Sequence, residues 1–198
     1  MSEDAASPER RVLDAAKRCC ERWGMDRVTV DDIAAEAGIS RATLYRLFPG
    51  GRDVMFEALR ARETSDFFEE LSVHVAAADD LEELIVSILV EATRGLRADE
   101  HLQIMLASRP GEVLHSMNVE DMPRIIEAAT AYLTPRVVSF IGADQAAELA
   151  EWLTRLVLSF FFGPSPRYDL GDSLSARTFA RRYVLPAFHP DRLSNPAR

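Results

Sequence analysis

Lysine is almost absent from this chain of 198 residues: Lys17 is the single one among 23 basic residues. That arginine bias reads as a genomic composition effect rather than a functional device. Cysteine is scarce too, with only Cys19 and Cys20. Neighbours on a predicted helix cannot bridge each other without distorting it, so no disulfide is expected within the chain. The pair reads as two buried small hydrophobes in a reducing cytoplasm. No run of about eighteen apolar residues occurs, which excludes a membrane-spanning helix. The stretch Met1 to Glu9 is acidic and polar, unlike a signal peptide, and reads as a disordered tail. There is no strand-type alternation, no internal repeat and no low-complexity tract. A glycine-rich phosphate loop, a nucleophile elbow and an HExxH motif are all missing, so no catalytic role and no cofactor are expected. The four histidines are scattered. His101 and His115 lie near Glu100 and Glu112, but their spacing matches no metal-ligand pattern, and a surface pair is the better reading.

What is present is ample apolar material, 47% of the residues, arranged throughout at helical spacing. The length suits one small module plus one larger domain, or a single helical unit. The expected fold class is all-α.

The stretch from Thr29 to Phe48 says most. Thr29 is a good N-cap, with Asp31 and Asp32 in the first turn, where they favour the helix dipole. Val30, Ile33, Ala34 and Ala37 form one apolar face. Gly38 sits where the helix must stop and reverse, which glycine does without penalty. Ile39 can plug the gap between helices. Ser40 caps a second helix that shows Arg41, Thr43, Tyr45 and Arg46 outward and buries Ala42, Leu44 and Leu47 or Phe48. Short polar, aromatic and guanidinium groups at a helix start suit base edges and phosphates. This is the layout of a helix-turn-helix. An ordinary helical hairpin could carry the same cap and glycine. Against that stand an amphipathic helix before it (Val12, Ala16, Cys19 or Cys20, Trp23) and a basic, aromatic element straight after, Tyr45 to Asp53.

Roughly residues 10 to 60 resemble the TetR family of bacterial transcriptional repressors. The matching words are Ile33-Ala34, Ala37-Gly38-Ile39-Ser40, Thr43-Leu44-Tyr45 and Phe48-Pro49, followed by the start of a long helix. The resemblance implies that the helix led by Ser40 enters the major groove. Thr29, Tyr45 and the residues opening the next helix would grip phosphates. The candidate DNA-binding set is Thr29, Ser40, Arg41, Thr43, Tyr45, Arg46 and Arg52. Members often carry a phosphate-binding lysine where this chain has Gly51, and Arg52 is the nearest cation.

Charge gives that reading no help. The chain carries −9, whereas DNA binders are usually basic. Residues 1 to 60 hold ten basic against eleven acidic side chains, and residues 61 to 198 hold thirteen against twenty-one, so the acidity sits mainly in the second part. Arg10, Arg11, Arg41, Arg46 and Arg52 can still share one face.

The remaining residues read as helices over about 51–78, 81–96, 101–108, 120–141, 144–162 and 173–188. Pro135 is the expected kink site within the fourth of these. The expected domains are a tail over 1–9, the helix-turn-helix domain over 10–52, a larger helical ligand-binding and dimerisation domain over 53–189, and a tail over 190–198. Three consecutive phenylalanines, Phe160 to Phe162, cannot share one side of a helix, which implies a second apolar face and a partner surface. The resemblance implies a homodimer through the last two helices, here Leu153, Val157, Phe160, Phe161, Phe179 and Tyr183, and a palindromic operator in double-stranded DNA. It also implies an effector pocket in the larger domain. Candidate lining residues are Ile88, Met105, Leu106, Met117, Met122, Ile126, Tyr132, Phe140 and Trp152, a methionine-rich set suited to a small apolar, lipid-like ligand. The last two segments resemble actinobacterial members, some of which answer lipid-like molecules. The expectation is a cytoplasmic repressor that a ligand releases. The alternatives are a helical enzyme or binding protein with an incidental hairpin, a ligand-independent regulator, or an activator.

Overall fold

The computed structural model describes residues 7–99, 102–103, 106–107 and 121–188, without the side chains of Asp26 and Asp121. Its helices are α1 (Pro8–Trp23), α2 (Val30–Ala37), α3 (Arg41–Leu47), α4 (Arg52–Val75), α5 (Leu81–Ala98), α6 (Asp121–Ile141), α7 (Ala143–Phe162) and α8 (Ser173–Phe179), the last running on into a π-turn at Ala180–Val184. No strand occurs among the described residues, and none of their helices is long and apolar enough to cross a membrane.

The chain divides into two compact units, Met1–Phe67 and Phe68–Arg198. The boundary lies inside α4, further along than the expected end of the DNA-binding domain at Arg52. The reason is packing: Met55, Phe56 and Leu59 are buried in the core of the first unit. The first helix also starts earlier than expected. Ser7 caps it by accepting the Arg10 N–H at 3.2 Å, and Pro8 at the first helical position gives up no hydrogen bond there. Pro8 and Glu9 are thus helix rather than tail.

In the first unit, α1 packs on α2 and α3 around Val12, Ala16, Cys19, Ile33, Leu44 and Phe48. Trp23, expected on the inner face, is exposed beneath the Arg22 guanidinium, 5.2 Å from its ring centre. Burial pushes the Cys20 thiol up to about 11 and raises Cys19 as well, so both are protonated apolar filler at neutral pH.

In the second unit, Asp80 caps α5 by accepting the Glu83 N–H at 2.8 Å. This helix buries Val86 and Val90 as well as Leu84, Ile85, Ile88 and Leu89. So wide a buried face suits a helix near the centre of a domain, and α5 packs against α6, α7 and α8. Gly142, at φ +80°, joins α6 to α7 as a hairpin. Pro135 lies within α6.

Candidate nucleic-acid interface

Two short helices cannot hold themselves together, since isolated helices below about 12–15 residues are marginal in water. Here α2 and α3 are fixed by caps, one glycine and arginine clamps. At the start of α2, the Thr29 N–H donates to Asp32 Oδ2 at 2.9 Å, and the Thr29 hydroxyl donates to the same oxygen at 2.6 Å. In return, the Asp32 N–H donates to Thr29 Oγ1 at 3.2 Å. This reciprocal cap satisfies orphan donors of the first turn, and the Thr29 hydroxyl bond, then its backbone bond, hold the Asp32 carboxyl below its usual range. Gly38 ends α2 in the left-handed region, at φ +67° and ψ +35°. At the start of α3, Ser40 Oγ accepts the Thr43 N–H at 3.1 Å, and the two hydroxyls lie 3.0 Å apart.

The clamps come from arginine. Arg11 Nη2 donates to the Ala37 carbonyl at 3.2 Å, on the last turn of α2. Arg18 Nε donates to Glu36 at 2.7 Å and lowers the pKa of that carboxyl. Arg52 donates from Nε to the Val28 carbonyl at 3.1 Å and from Nη2 to the Met25 carbonyl at 2.6 Å, with its guanidinium 4.8 Å from the Phe56 ring centre.

The expected DNA-binding residues therefore separate. Arg41, Tyr45 and Arg46 are exposed on α3. The Arg41 Nε lies 3.0 Å from Asp31 Oδ1. Among the described residues, the Tyr45 hydroxyl and the Arg46 guanidinium make no hydrogen bond or ion pair. Thr29 spends its hydroxyl on its cap, while the Ser40 and Thr43 hydroxyls share one bond, which leaves one of their two O–H groups unused. Arg52 spends its donors on the chain itself and is half-buried. Ala42, expected inside, is exposed. A methyl on that face can meet a thymine methyl. Arg27, not singled out from sequence, is exposed just before the α2 cap with no partner among the described residues; its only sequence signal was its position.

The turn after α3 explains the missing lysine. Gly50 and Gly51 both have positive φ, +117° and +70°. A Cβ on Gly51 would lie 2.9 Å from Cε1 of Tyr45. Any side chain there would press on the tyrosine ring, so this turn requires glycine.

The expected ligand and dimer residues also separate. Leu153 and Val157 are 0% and 4% exposed and Phe179 is buried, so these three are core of a single chain and cannot form a partner surface. Phe160 and Phe161 are half-buried, Phe160 edge-on to Phe179 at 5.2 Å. Tyr183 is 43% exposed. Trp152, expected in the pocket, is 48% exposed and points out of the core. Ile88 is buried, while Leu106, Met122, Ile126, Tyr132 and Phe140 are half-buried. Tyr132 stacks on Phe68 and donates its hydroxyl to the Phe68 carbonyl, with Arg136 3.8 Å from its ring centre. Met105 and Met117 lie outside the described residues, as do His101, His115, Glu100 and Glu112. Among the described residues, no group of three or more histidine, cysteine or acidic side chains is placed to hold a metal ion.

Known proteins share this arrangement. The family model for bacterial regulatory proteins of the tetR family matches residues 12–59, the span from within α1 to the first turns of α4. An uncharacterised HTH-type transcriptional regulator of Mycobacterium tuberculosis is 34% identical over 175 residues, 88% of this chain and 88% of its own length. The HTH-type transcriptional regulator BetI of Brucella abortus is 24% identical over 179 residues and 88% of each chain. Among solved structures, the TetR family repressor AlkX from Dietzia, implicated in biodegradation of n-alkanes, is 25% identical with a TM-score of 0.65, covering 93% of this chain and 98% of that one. FadR from Bacillus subtilis, solved with stearoyl-CoA, shares the fold with a TM-score of 0.52 at 18% identity, covering 85% and 95% of the two chains. The hairpin is therefore no incidental feature, and the chain belongs to the tetR family as a helix-turn-helix transcriptional regulator.

Proposed function

We propose that the protein is a repressor that binds a palindromic operator as a homodimer, with α3 of each copy in the major groove. The observation that carries this is the outer face of α3, where Arg41, Ala42, Tyr45 and Arg46 are exposed together while Leu44 is fully buried beneath them. Tyr45 and Arg46 have no partner among the described residues. Arg46 and the Tyr45 hydroxyl serve phosphates, and Arg41 serves a base edge. Thr29, Ser40 and Thr43 act by fixing the two helices, and Arg52 by holding the loop before α2. The functional DNA-binding domain ends near Phe67 and not at Arg52.

The partner surface we propose lies on the outer faces of α7 and of α8 with its π-turn. Trp152, Tyr183 and the 76% exposed Leu174 stand on those faces with half-buried Leu156, Phe160 and Phe161 around them. A monomer gains nothing from leaving such side chains in water. The effector is a small apolar molecule held in the second unit near Ile88, Leu106, Met122, Ile126 and Phe140, with Met105 and Met117 candidates from the sequence alone. The solved relatives support that chemistry, one linked to n-alkanes and one holding stearoyl-CoA. The effector lowers operator affinity by binding the DNA-free arrangement more tightly than the DNA-bound one, since equal affinity would shift nothing.

The test combines gel shift with an operator selected from random duplexes, sedimentation, and titration with long-chain acyl compounds. A dimer that binds one palindrome and is released by an acyl ligand supports the reading. A monomer on DNA, or no release by any ligand that stabilises the protein, contradicts the corresponding part.

A further inference from the structure

We propose that Arg41 reads a guanine in each operator half-site and that Asp31 is the positioning residue that aims it. This rests on the reading of α3 as the major-groove helix. Arg41 is the first residue of α3, and Asp31 is the second residue of α2. The turn at Gly38 brings them together, with Arg41 Nε 3.0 Å from Asp31 Oδ1 and both side chains exposed. A pair so open to water adds little to stability, so the fold has small use for it. Its effect is on direction. A free arginine samples many rotamers, and a carboxylate beside Nε biases them toward those that turn the Nε edge to α2. It also leaves the far edge of the guanidinium open. Among the described residues, no hydrogen bond takes up Nη1 or Nη2 of Arg41. Those two nitrogens form a fork that matches the O6 and N7 acceptors of guanine, whereas adenine pairs one acceptor with a donor and cytosine offers a donor.

The carboxylate has a second consequence. Close to the groove it repels phosphate, so it penalises loose backbone binding more than a seated complex. Arg46 and Arg27 differ in this respect. Neither has a carboxylate partner among the described residues, which suits a mobile charge placed on phosphate. Asp31 therefore marks the one α3 arginine that reads sequence.

The experiment uses the full chain and the duplex it selects from a random library. Wild type, Asp31→Asn, Arg41→Ala and the double variant are titrated on that duplex and on a random one. The duplex is also made with 7-deazaguanine, which lacks N7, at each guanine of a half-site. The expected outcome is that Arg41→Ala loses about ten- to a hundredfold in operator affinity, the worth of a bidentate base contact. One 7-deazaguanine position should penalise wild type and leave Arg41→Ala unaffected. Asp31→Asn should weaken the operator complex, strengthen random-duplex binding, and cause no loss on the operator once Arg41 is gone. That last arm separates aiming from damage to α2, because a folding defect would persist in the Arg41→Ala background. Equal losses in both backgrounds overturn the proposal. So does a gain on both duplexes, which would make Asp31 a mere competitor for Arg41. If Arg41→Ala binds normally while Arg46→Ala and Tyr45→Phe are weakened, the proposal fails and α3 keeps its place in the groove. If none of the three is weakened, the placement of α3 itself fails.

Discussion

In the unit Met1–Phe67, arginines tie down backbone around the short helices, Arg11 at the Ala37 carbonyl and Arg52 at those of Val28 and Met25, while Arg18, Arg22, Arg41 and Arg62 pair with carboxylates. In the unit Phe68–Arg198 they reach mainly for carboxylates. Arg177 and Arg181 hold Glu82 at 2.6 and 2.9 Å, and Arg97 holds Asp169 at 2.8 Å. The difference follows from helix length. The first unit positions a helix of seven residues and one of eight, whose ends are most of their length, so free carbonyls and N–H groups are what needs tying down. The second is built on helices of 18 to 21 residues around a buried α5, where apolar burial dominates and ion pairs only pin the edges. The chemistry of the first unit therefore faces outward on a fixed frame. In the second, the apolar interior is both core and the proposed effector site, so the two roles share the same residues.

The contrast breaks first at two adjacent residues of α7. Leu153→Ala removes a fully buried side chain and should cost about 2–5 kcal/mol, lowering the melting temperature of the second unit. Trp152→Arg, one position away on the outside, should leave the melt of the monomer in place and split the dimer in sedimentation. If both substitutions unfold the protein alike, the outer face of α7 is not a free surface.

Two arginines sharpen the contrast inside the first unit. Arg52→Ala removes charge-assisted bonds to two carbonyls and should cost about 1.5–3 kcal/mol of stability, with DNA affinity falling on every sequence. Arg46→Ala should leave the thermal melt unchanged, weaken binding evenly across sequences and reduce the salt slope by about 1. Thermal melts and salt-dependent titrations read both effects. A smaller loss is expected at the turn. Gly38 has nothing within 4 Å of where a Cβ would stand, so its penalty is all backbone: Gly38→Ala should cost about 1–2 kcal/mol, Gly38→Asn less, and Gly38→Val more, with operator binding lost.

The mildest effect concerns acid. Arg181, then Arg177, hold the Glu82 carboxyl below its ordinary 4.5. A carboxyl depressed on folding adds stability that is fully present above that unfolded value and is lost as pH falls through the lower folded value. Melts of Glu82→Gln and wild type should therefore converge as pH drops below about 4.5, and differ at neutral pH by a small amount. A gap that widens in acid would reverse the sign.

The parts legible in the sequence were those set by local physics. A cap oxygen must find an N–H a few residues on, so Thr29 and Ser40 identified themselves, and Gly38 did so because only glycine enters the left-handed region freely. Ala42 was misplaced because seven residues make two turns, too few for periodicity to fix which side is inner. Arg11 and Arg52 read as free cations, since a side chain that folds back on a carbonyl looks the same in sequence as one that points to solvent. The domain boundary was hidden because apolar spacing continues through α4 from Met55 past Phe67 without a break. Leu153 and Trp152 were exchanged in burial for a related reason: α7 has two apolar faces, and composition does not say which one the rest of the chain covers.

Selection of duplexes from a random pool by the full chain, followed by titration of the winner with wild type and with Arg41→Ala, Arg46→Ala and Tyr45→Phe, bears most directly on the outer face of α3 as the DNA reader. Two inverted half-sites centred about 34–36 Å apart are expected, with the largest loss and relaxed base preference in Arg41→Ala and smaller, sequence-independent losses in the other two. A pool with no enriched sequence, or one duplex bound equally by all four proteins, would contradict it.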